Sequence, residues 1–461
     1  MERADVADQG EEFACVPGVI MSRLVELGTL TAEDAIRRTD DTMLDRLQRA
    51  AFDYFLKNTN PRNGLVADTT RDGAPCSIAV VGFALSAYPV GVERGWIERA
   101  DAVQRCLRAL RFFCHSDQTG NPGATGHCGF YFHFLDMNSG TRVWQSEVSL
   151  IDTALLLAGV LTAAVYFSAD TPVEAEVREL ADALYRRVEW RWAQRDGTCV
   201  AHGWKPECGF LNYGWEGYSE AILLYVLGLG SPTHPLTEKS FEAWTVTYQW
   251  ENLYGHDFLY AGPLFIHQFS HAWIDFRGIR DRFMREKGCD YFENSRRAAY
   301  VQREYAIRNP RSLVGYGEDC WGLSAGDGPS VESRPVAGRR QAFYGYAARG
   351  APYGPDDGTI AGPSTLASLV FAPEITLPAV RKLYARGSSG EGECVRASGF
   401  NATVSEPESD AWISPGEFGL DQGLIVLTIE NFRSGLLWRL SRSCVPFQTG
   451  LRRAGFSGGW L

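Results

Sequence analysis

Two pairs of carboxyl-bearing residues stand where a polar loop runs into a strongly apolar segment. Glu147 and Asp152 lie in the stretch WQSEVSLIDTALLLAG, and Glu216 and Glu220 lie in NYGWEGYSEAILLYVLGLG. Two carboxyl groups that face one substrate can act as general acid and general base. Burial beside aromatic rings raises the pKa of a carboxyl group, as a general acid at neutral pH requires. The Trp and Tyr residues around Glu220 therefore favour a catalytic role.

Both pairs also have a structural explanation, and the local sequence leaves the two readings open. Ser149 and Asp152 have the spacing of a capping box, in which they would stabilise the start of a helix. Glu216 and Glu220 would suit the first turn of a helix, where the helix dipole favours negative charge. Glu147 has neither role, although a glutamate in a loop is usually just solvated.

The segment from Ile266 to Arg308 is predicted to form two consecutive helices with polar, aromatic faces. These faces carry His267, Gln268, His271, Trp273, Asp275, Arg277, Asp281, Tyr291, Glu293, Asn294 and Arg296. A helix that only packed against a core would carry Leu, Ile and Val there. Aromatic rings can cover the apolar faces of a sugar while the polar groups bind its hydroxyls. This pattern indicates a polyhydroxylated ligand.

Metal and cofactor chemistry is not indicated by the motifs. His267 and His271 have the HxxxH spacing of metal ligands, but Gln268 stands where a zinc hydrolase would carry its glutamate base. A bond to a sugar hydroxyl or to a neighbouring carboxylate suits these histidines better. The sequence has no Walker loop, no GxGxxG dinucleotide motif and no GxSxG nucleophile elbow. We therefore predict no metal and no cofactor.

The composition favours a neutral ligand. Aromatic residues make up 12% of the 461 residues, and the formal net charge is −11. Such a charge argues against nucleic acid or an anionic membrane surface as a partner. The 11 cysteines are scattered without CxxC pairs, which is typical of reduced thiols. The first 20 residues are acidic and lack the features of a signal peptide, so we predict a cytoplasmic protein.

Helical periodicity dominates the chain and predicts an all-α fold. The predicted helices cover 40–57, 77–91, 98–115, 147–167, 173–193, 216–229, 237–249, 264–286, 291–308, 363–372, 374–386 and 421–434, the last of which could equally be a strand. About twelve helices with alternating short and long connections fit an (α/α)6 toroid, a six-hairpin barrel whose long loops form a cleft. We predict an N-terminal appendage at 1–38 and a single catalytic domain at 39–461.

Several loops combine acidic and aromatic residues. They include Asp319 and Trp321 in GYGEDCWG, Asp327 in AGDGP, Asp356 and Asp357 in PDDGT, and Asp421 and Gln422 in GLDQG. Most Asp-Gly pairs are simply turns. The flanking aromatic rings nevertheless make one or two of these residues plausible ligands or catalytic groups.

Many ordered blocks of the sequence resemble one known family. They are AFDYF (51–55), SIAVVGFALSA (77–87), GFYFHFLD (129–136), EVSLIDTALLLAG (147–159), GYSEAILLYVLGLGSPTHP (217–235), HQFSHAWIDFRGIRD (267–281), DYFENSRRA (290–298), WGLSAGDGP (321–329), DDGT (356–359) and GLRRAGFSGGWL (450–461). From about Leu44 to Leu461 the chain resembles the bacterial glucoamylase-like family. That family contains the β-1,2-glucanases of glycoside hydrolase family 144 and the transglycosylase region of cyclic β-1,2-glucan synthases.

This resemblance implies an (α/α)6 fold and action on β-1,2-linked glucans. It implies that Glu220 is the general acid, that Asp152 is an acidic group the hydrolases need, and that Glu147 matches a nucleophile of the transglycosylase branch. One departure is IAGPS at 360–364, where relatives often have IAPTA, which puts loop details and product specificity in doubt. The predicted sugar-binding residues are Trp144, Tyr213, Trp215, Glu216, His267, His271, Asp275, Arg277, Trp321 and Asp327.

The leading hypothesis is therefore a glycoside hydrolase that cleaves β-1,2-glucan or its oligosaccharides with paired carboxyl groups. One alternative is a transglycosylase that remodels or cyclises such glucans. Another is a non-catalytic glucan-binding protein on the same fold, and an α-1,4-glucan hydrolase is a further one. The sequence does not indicate the oligomeric state.

Overall fold

The computed structural model describes residues 32–195, 197–336, 338–386, 392–404 and 411–461. The chain divides between Arg46 and Leu47 into two units. Apart from the part of helix α1 that precedes Leu47, all features described below belong to the unit Leu47–Leu461. The predicted appendage at 1–38 falls almost wholly outside the described residues, so its boundary with 39–461 stays a prediction.

Helices dominate the described residues. They are α1 (Ala32–Lys57), α2 (Ile78–Glu93), α3 (Arg99–His115), α4 (Leu150–Tyr166), α5 (Pro172–Arg186), α6 (Trp190–Ala193), α7 (Ile222–Gly230), α8 (Lys239–Thr245), α9 (Arg282–Glu286), α10 (Tyr291–Arg308), α11 (Gly362–Ala367), α12 (Pro373–Tyr384), α13 (Glu393–Arg396), α14 (Gly419–Arg433), α15 (Leu436–Ser443) and α16 (Val445–Arg453). Short 3₁₀ turns occupy Leu264–His267, Phe269–Ala272 and Ser368–Val370. The expectation of a helix-rich chain is confirmed.

Short strands connect the helices, and the all-α prediction missed them. They are β1 (Cys76–Ser77), β2 (Gly126–His127), β3 (Phe130–Phe132), β4 (Phe134–Leu135), β5 (Val148–Ser149), β6 (Gly203–Lys205), β7 (Gly209–Phe210), β8 (Trp250–Leu253), β9 (His256–Leu259), β10 (Ala325–Gly326), β11 (Glu332–Val336), β12 (Arg339–Phe343), β13 (Ala347–Ala348), β14 (Thr359–Ile360), β15 (Phe400–Asn401) and β16 (Trp412–Ile413). The largest sheet is antiparallel with the order β2-β3-β5-β6-β7. Most strands are two to three residues long, too short for the alternating pattern that reveals a strand in a sequence.

Four helices, α2, α4, α7 and α14, are buried along most of their length. A helix that is apolar on every side must be surrounded by other elements. Helix α2 packs against α4 and α14, and α4 also packs against α7. Helices α3 and α5 instead bury one face each and pack against each other. The four buried helices thus form the interior that supports the site.

Two glycines allow α2 and α4 to pack with their backbones in contact. A methyl group added at Gly82 would lie 2.2 Å from the carbonyl oxygen of Leu155. A methyl group at Gly159 would lie 2.0 Å from the carbonyl oxygen of Gly82. Because no side chain fits at either position, the absence of a Cβ fixes how closely these helices approach.

The largest error in the helix prediction concerns 264–286. The structure has two 3₁₀ turns, an irregular stretch and the five-residue helix α9 there, whereas the predicted helix at 291–308 is present as α10. The predicted helix at 421–434 is helical, as α14, and not a strand. Helices α15 and α16 were not predicted. In the described residues, none of the helices combines the length and the apolar composition needed to cross a membrane.

Candidate active site

A cavity of about 610 Å³ lies at the ends of the buried helices. This volume is in the range of small-molecule binding sites. Helices α4, α7 and α14 begin at its wall, and each brings a carboxyl group within or just before its first turn, namely Asp152, Glu220 and Asp421. Loops contribute the other lining carboxyl groups, Asp68, Glu147 and Asp327.

The register of β3 and β5 places a histidine beside one of these carboxyl groups. Phe132 pairs with Val148, so the next residues outward, His133 and Glu147, lie opposite each other. The backbone N–H of His133 donates to the carbonyl of Glu147 at 2.9 Å. The side chains meet as well, because Nδ1 of His133 lies 3.1 Å from Oε1 of Glu147. The strand pairing therefore positions both groups at the cavity.

Asp152 is held from two sides. The Ser149 hydroxyl caps α4 by accepting a hydrogen bond from the Asp152 backbone N–H, and it donates to Oδ2 of Asp152 at 2.5 Å. The same carboxylate oxygen lies 3.4 Å from Nε2 of His133. The predicted capping role of Ser149 and the place of Asp152 in the cavity are thus both present, and they do not exclude each other.

The carboxyl groups differ in charge. The hydrogen bond from His133 lowers the pKa of Glu147 to about 2, so Glu147 is ionised at neutral pH. Burial, together with the nearby charge of Asp152, raises the pKa of Glu220 to about 7. A carboxyl group that stays protonated near neutral pH beside an ionised one is the arrangement that separates acid from base in carboxyl-pair catalysis.

Glu220 owes its position to a short connection between Gly217 and α7. Its backbone carbonyl accepts a hydrogen bond from the Ser270 hydroxyl at 2.9 Å, and that hydroxyl in turn accepts from the backbone N–H of Leu223 at 3.2 Å. These contacts tie the turn before α7 to the second 3₁₀ turn. The carboxyl group of Glu220 is therefore carried by a rigid backbone.

Aromatic rings also line the cavity. His202 stacks on Trp215 with ring centroids 4.2 Å apart, and both face the cavity. Phe265 and Phe269 line it as well, with their ring centroids 5.5 Å apart. Burial lowers the pKa of His202, which keeps this imidazole neutral at neutral pH. Flat rings next to carboxyl groups are suited to the apolar faces and the hydroxyls of a sugar.

A second pair of carboxyl groups was not recognised as a pair from the sequence. Burial raises the pKa of Asp421 to about 7, where Ser398 opposes the shift and Asp68 adds to it. Burial likewise raises the pKa of Asp68 to about 6, against the opposing charge of His133. At neutral pH Asp421 is therefore still partly protonated, whereas Asp68, whose pKa lies lower, is mostly ionised.

An ion pair forms a further part of the wall. Arg71 binds Oδ2 of Asp327, which also accepts a hydrogen bond from the Ser414 hydroxyl at 2.9 Å. The guanidinium of Arg71 lies 5.4 Å from the centroid of the Phe418 ring. Arg71, Asp327 and Phe418 all line the cavity. The loop after Leu65 and the loop before α14 are joined here.

The structure brings five of the thirteen predicted site residues together. Glu147, Asp152, Glu220, Trp215 and Asp327 line the cavity. Trp144, Tyr213 and Glu216 are solvent-exposed and are not among the lining residues. Trp144 still connects to the site, because its ring centroid lies 5.0 Å from that of Phe134, a lining residue.

The predicted sugar-facing surface at 267–277 is not found at the cavity. His267 is 1% exposed and bonds the Tyr218 hydroxyl and the carbonyl of Ala261. His271 is 3% exposed, and its Nε2 lies 3.1 Å from the Ser295 hydroxyl. The hydrogen bonds that these polar groups form thus go to other protein groups inside the protein.

Three further predicted residues also have structural contacts away from the cavity. The Asp275 carboxylate is buried and forms ion pairs with Arg277, at 2.7 Å, and with Arg442. Arg277 also lies over the Trp438 ring at 4.5 Å. Trp321 is 1% exposed in an apolar cluster of the core. None of the three lines the cavity.

Five polar loop residues are among the cavity residues that the sequence did not single out. They are Asp68, Arg71, His133, His202 and Ser398. His133 lay within GFYFHFLD, one of the blocks that carry the family resemblance. The partners of these residues are far away in the chain, so no local spacing could pair them.

A chain with these buried helices and this acidic, aromatic cavity matches one known family. Residues 212–445 match the Glycoamylase family, described as "Putative glucoamylase", and the chain belongs to this family. The family predicted from the sequence is thus confirmed.

Three relatives illustrate the similarity. The chain is 29% identical over 451 residues to the exo beta-1,2-glucooligosaccharide sophorohydrolase (non-reducing end) of Parabacteroides distasonis. The aligned region covers 90% of this chain and 58% of that protein. It is 30% identical to a Bacteroides uniformis structure titled a "putative glucoamylase", with a TM-score of 0.80 and coverage of 92% and 98%. It is 27% identical to the endo-beta-1,2-glucanase of Chitinophaga pinensis in a sophorotriose and glucose complex, with a TM-score of 0.77 and coverage of 92% and 99%.

Proposed function

We propose that this protein is a glycoside hydrolase that cleaves β-1,2-linked glucans or their oligosaccharides. One observation carries the proposal, namely that Glu220, whose pKa is raised by burial to about 7, shares an aromatic-lined cavity with the ionised carboxylate Glu147 and with Asp152. Glycosidic bonds are broken by two carboxyl groups, one that protonates the leaving oxygen and one that activates water or attacks the anomeric carbon.

Glu220 is the acid in this proposal. Its proton passes to the glycosidic oxygen as the bond to the anomeric carbon breaks, which leaves Glu220 ionised. In the inverting route a carboxylate takes a proton from the attacking water, and in the retaining route it first bonds the anomeric carbon. Asp152 and Glu147 are the proposed second carboxylates, because both line the cavity with Glu220 and the charge of Asp152 acts on Glu220.

The linkage comes from the relatives. The curated relative is named for exo action on β-1,2-glucooligosaccharides, and the Chitinophaga pinensis structure is an endo-β-1,2-glucanase. This chain spans 58% of the length of the curated relative. A neutral glucan also suits a wall of flat rings and carboxyl groups, since sugar hydroxyls donate hydrogen bonds to carboxylates.

We also propose that the helices pair into an (α/α)6 toroid. The support is the set of apolar, buried helices α2, α4, α7 and α14, together with amphipathic partners such as α3 and α5. The starts of α4, α7 and α14 also bring carboxyl groups to one cavity, which suits inner helices that surround a shared site.

A panel of glucans tests the substrate assignment. The purified full chain would be incubated with linear β-1,2-, β-1,3-, β-1,4- and α-1,4-glucans, and products would be separated by chromatography. We expect new reducing ends from the β-1,2-glucan alone, and NMR of the first product anomer would show inversion or retention. Products from another linkage, with none from the β-1,2-glucan, would overturn the assignment.

A further inference from the structure

His133 lies between the two proposed second carboxylates. Its Nδ1 is 3.1 Å from Oε1 of Glu147, and its Nε2 is 3.4 Å from Oδ2 of Asp152. The ring is fixed from the side by Phe134, whose ring stacks on it with centroids 3.9 Å apart and planes 12° apart. One ring nitrogen is thus within hydrogen-bonding distance of a carboxylate oxygen, and the other lies within ion-pair distance of a second carboxylate.

We propose that His133 is a positioning residue that stays doubly protonated at neutral pH and holds Glu147 and Asp152 as two oriented carboxylates. This inference rests on the proposed function and goes beyond it, because it assigns a task to a residue that need not touch the substrate. His133 acts through the two carboxylates and contacts one oxygen of each.

Hydrogen-bond chemistry requires the second proton. A neutral imidazole has one N–H donor and one acceptor nitrogen, whereas an ionised carboxylate only accepts. A ring between two carboxylates can satisfy both only when both nitrogens carry protons. With a neutral ring, one of the two contacts would set an imidazole lone pair against carboxylate oxygens, in a partly buried place where such a contact is costly.

The surrounding charges support the same conclusion. Burial alone lowers the pKa of His133, but the charges of Asp152, Glu147 and Asp68 outweigh burial and raise it to about 9. Among the described residues, Arg71 is the one arginine that lines the cavity, and it is paired with Asp327.

His202 shows that this charge is specific to the position of His133. It lines the same cavity and feels Glu147 and Asp152, yet burial lowers its pKa. It stacks on Trp215 and has no ion pair with a carboxylate among the described residues. Two histidines of one cavity thus carry opposite protonation states at neutral pH, one charged and one neutral.

The proposal has a consequence for the pH dependence of the reaction. The positive charge beside Glu147 keeps this carboxylate ionised to low pH, so the acid limb of the kcat/KM profile lies at low pH. Replacing His133 by Gln removes the charge and keeps a hydrogen-bonding side chain. Because an opposite charge within about 4–6 Å lowers a carboxyl pKa by roughly 1–3 units, we expect the acid limb of H133Q to move up by about one pH unit or more.

Two measurements test this on the full chain. The first is an NMR titration of the histidine ring signals, in which H133Q identifies the signal of His133 by its loss. We expect His133 to remain fully protonated at pH 7 and to titrate near pH 9, while the His202 signal, identified with H202Q, stays neutral at pH 7. A His133 signal that is neutral at pH 7 would overturn the proposal, whether or not the protein cleaves a glucan.

The second measurement is the pH profile of H133Q, H133K and H202Q on the glucan that the wild type cleaves. We expect the acid limb to move to higher pH in H133Q. In H133K, which restores a positive charge, it should return toward the wild-type pH, and in H202Q it should stay at the wild-type pH. An unchanged acid limb in H133Q, with glucan cleavage intact in the wild type, would overturn the positioning role and leave the proposed function standing. Absence of any glucan cleavage by the wild type would instead overturn the proposed function, while the NMR result still decides the charge of His133.

Discussion

The hydroxyl of Ser149 lies 3.2 Å from the backbone nitrogen of Asp152 and 2.5 Å from its carboxylate Oδ2. One side chain thus caps helix α4 and also holds the carboxylate that faces the cavity. A cap and a catalytic group are often taken as competing explanations of an acidic residue in a first helical turn. Here the cap fixes the backbone and one oxygen of Asp152, and the residue remains part of the cavity wall.

Replacing Ser149 by Ala should therefore have two separable effects. We expect a loss of about 1 kcal/mol in the free energy of unfolding, since that is typical for removal of an N-cap. We also expect a lower kcat, because Asp152 loses the hydrogen bond that orients it. Denaturant unfolding and steady-state kinetics would measure the two effects.

Thr171→Ala is the matched control. Thr171 caps α5 by accepting from the backbone N–H of Glu174, and neither residue lines the cavity. We expect a similar loss of stability with wild-type kcat. If S149A lost stability but kept full kcat, the proposed orienting role of Ser149 would be wrong.

The alkaline limb of the activity profile should report Glu220. Since the acid must carry its proton, kcat/KM is expected to fall as pH rises through about 7, the pKa to which burial raises Glu220. Burial raises the pKa of Asp421 to a similar value, so D421N serves to assign the limb. If the fall in kcat/KM near pH 7 disappeared in D421N but persisted in E220Q, it would report the ionisation of Asp421 and not that of Glu220.

The same pKa shift predicts a pH-dependent stability. A carboxyl whose pKa is raised in the folded state stabilises the protein below its unfolded value of 4.5, and this stability is lost as pH rises through about 7. E220Q, which cannot ionise, should match the wild type near pH 4 and be more stable by on the order of 2 kcal/mol at pH 8. Unfolding at the two pH values measures the difference, and equal stability of both proteins at pH 8 would show that Glu220 is not desolvated.

Loss of the Arg71 side chain should affect binding more than chemistry. Arg71 joins Asp327 and covers Phe418 at the cavity wall, away from the hydrogen bonds of Glu220 and Asp152. We expect R71A to raise KM about tenfold, or about 1.4 kcal/mol, with kcat nearly unchanged. R282A is the control, because Arg282 forms only exposed ion pairs with Glu242 and Glu286. A fall in kcat with an unchanged KM would contradict the binding role.

Local sequence predicted the parts of the site that sit at helix starts. Asp152 and Glu220 each precede a long apolar run, and such runs reveal both the helix and the place where a loop meets it. Helix α14 was recognised for the same reason, although its β-branched residues left a strand equally open. Apolar periodicity is a local signal, so it can be recognised without knowledge of the tertiary structure.

The polar contacts of the cavity could not be predicted in this way. Arg71 and Asp327 are 256 residues apart, and nothing near either one indicates the other. His133 meets Glu147 only because β3 and β5 pair, and those strands have three and two residues.

The helix predicted at 264–286 was wrong for a related reason. Its polar residues have helical spacing, but their hydrogen bonds go to distant groups. Gln268, for example, donates to the carbonyl of Ser364 at 2.7 Å, and Ser270 donates to the carbonyl of Glu220. Polar side chains that satisfy the backbone of other elements resemble ligand-binding residues in a sequence, and only burial distinguishes them.

The central claim is that Glu220 supplies the proton for cleavage of β-1,2-glucan. The most direct test is to incubate linear β-1,2-glucan with the wild type, E220Q and E286Q, and to measure the oligosaccharides released over time. Glu286 is an exposed glutamate paired with Arg282 and serves as the control. We predict equal release by the wild type and E286Q and a loss of about 10²-fold or more in E220Q. Release by E220Q at the wild-type rate would contradict the account.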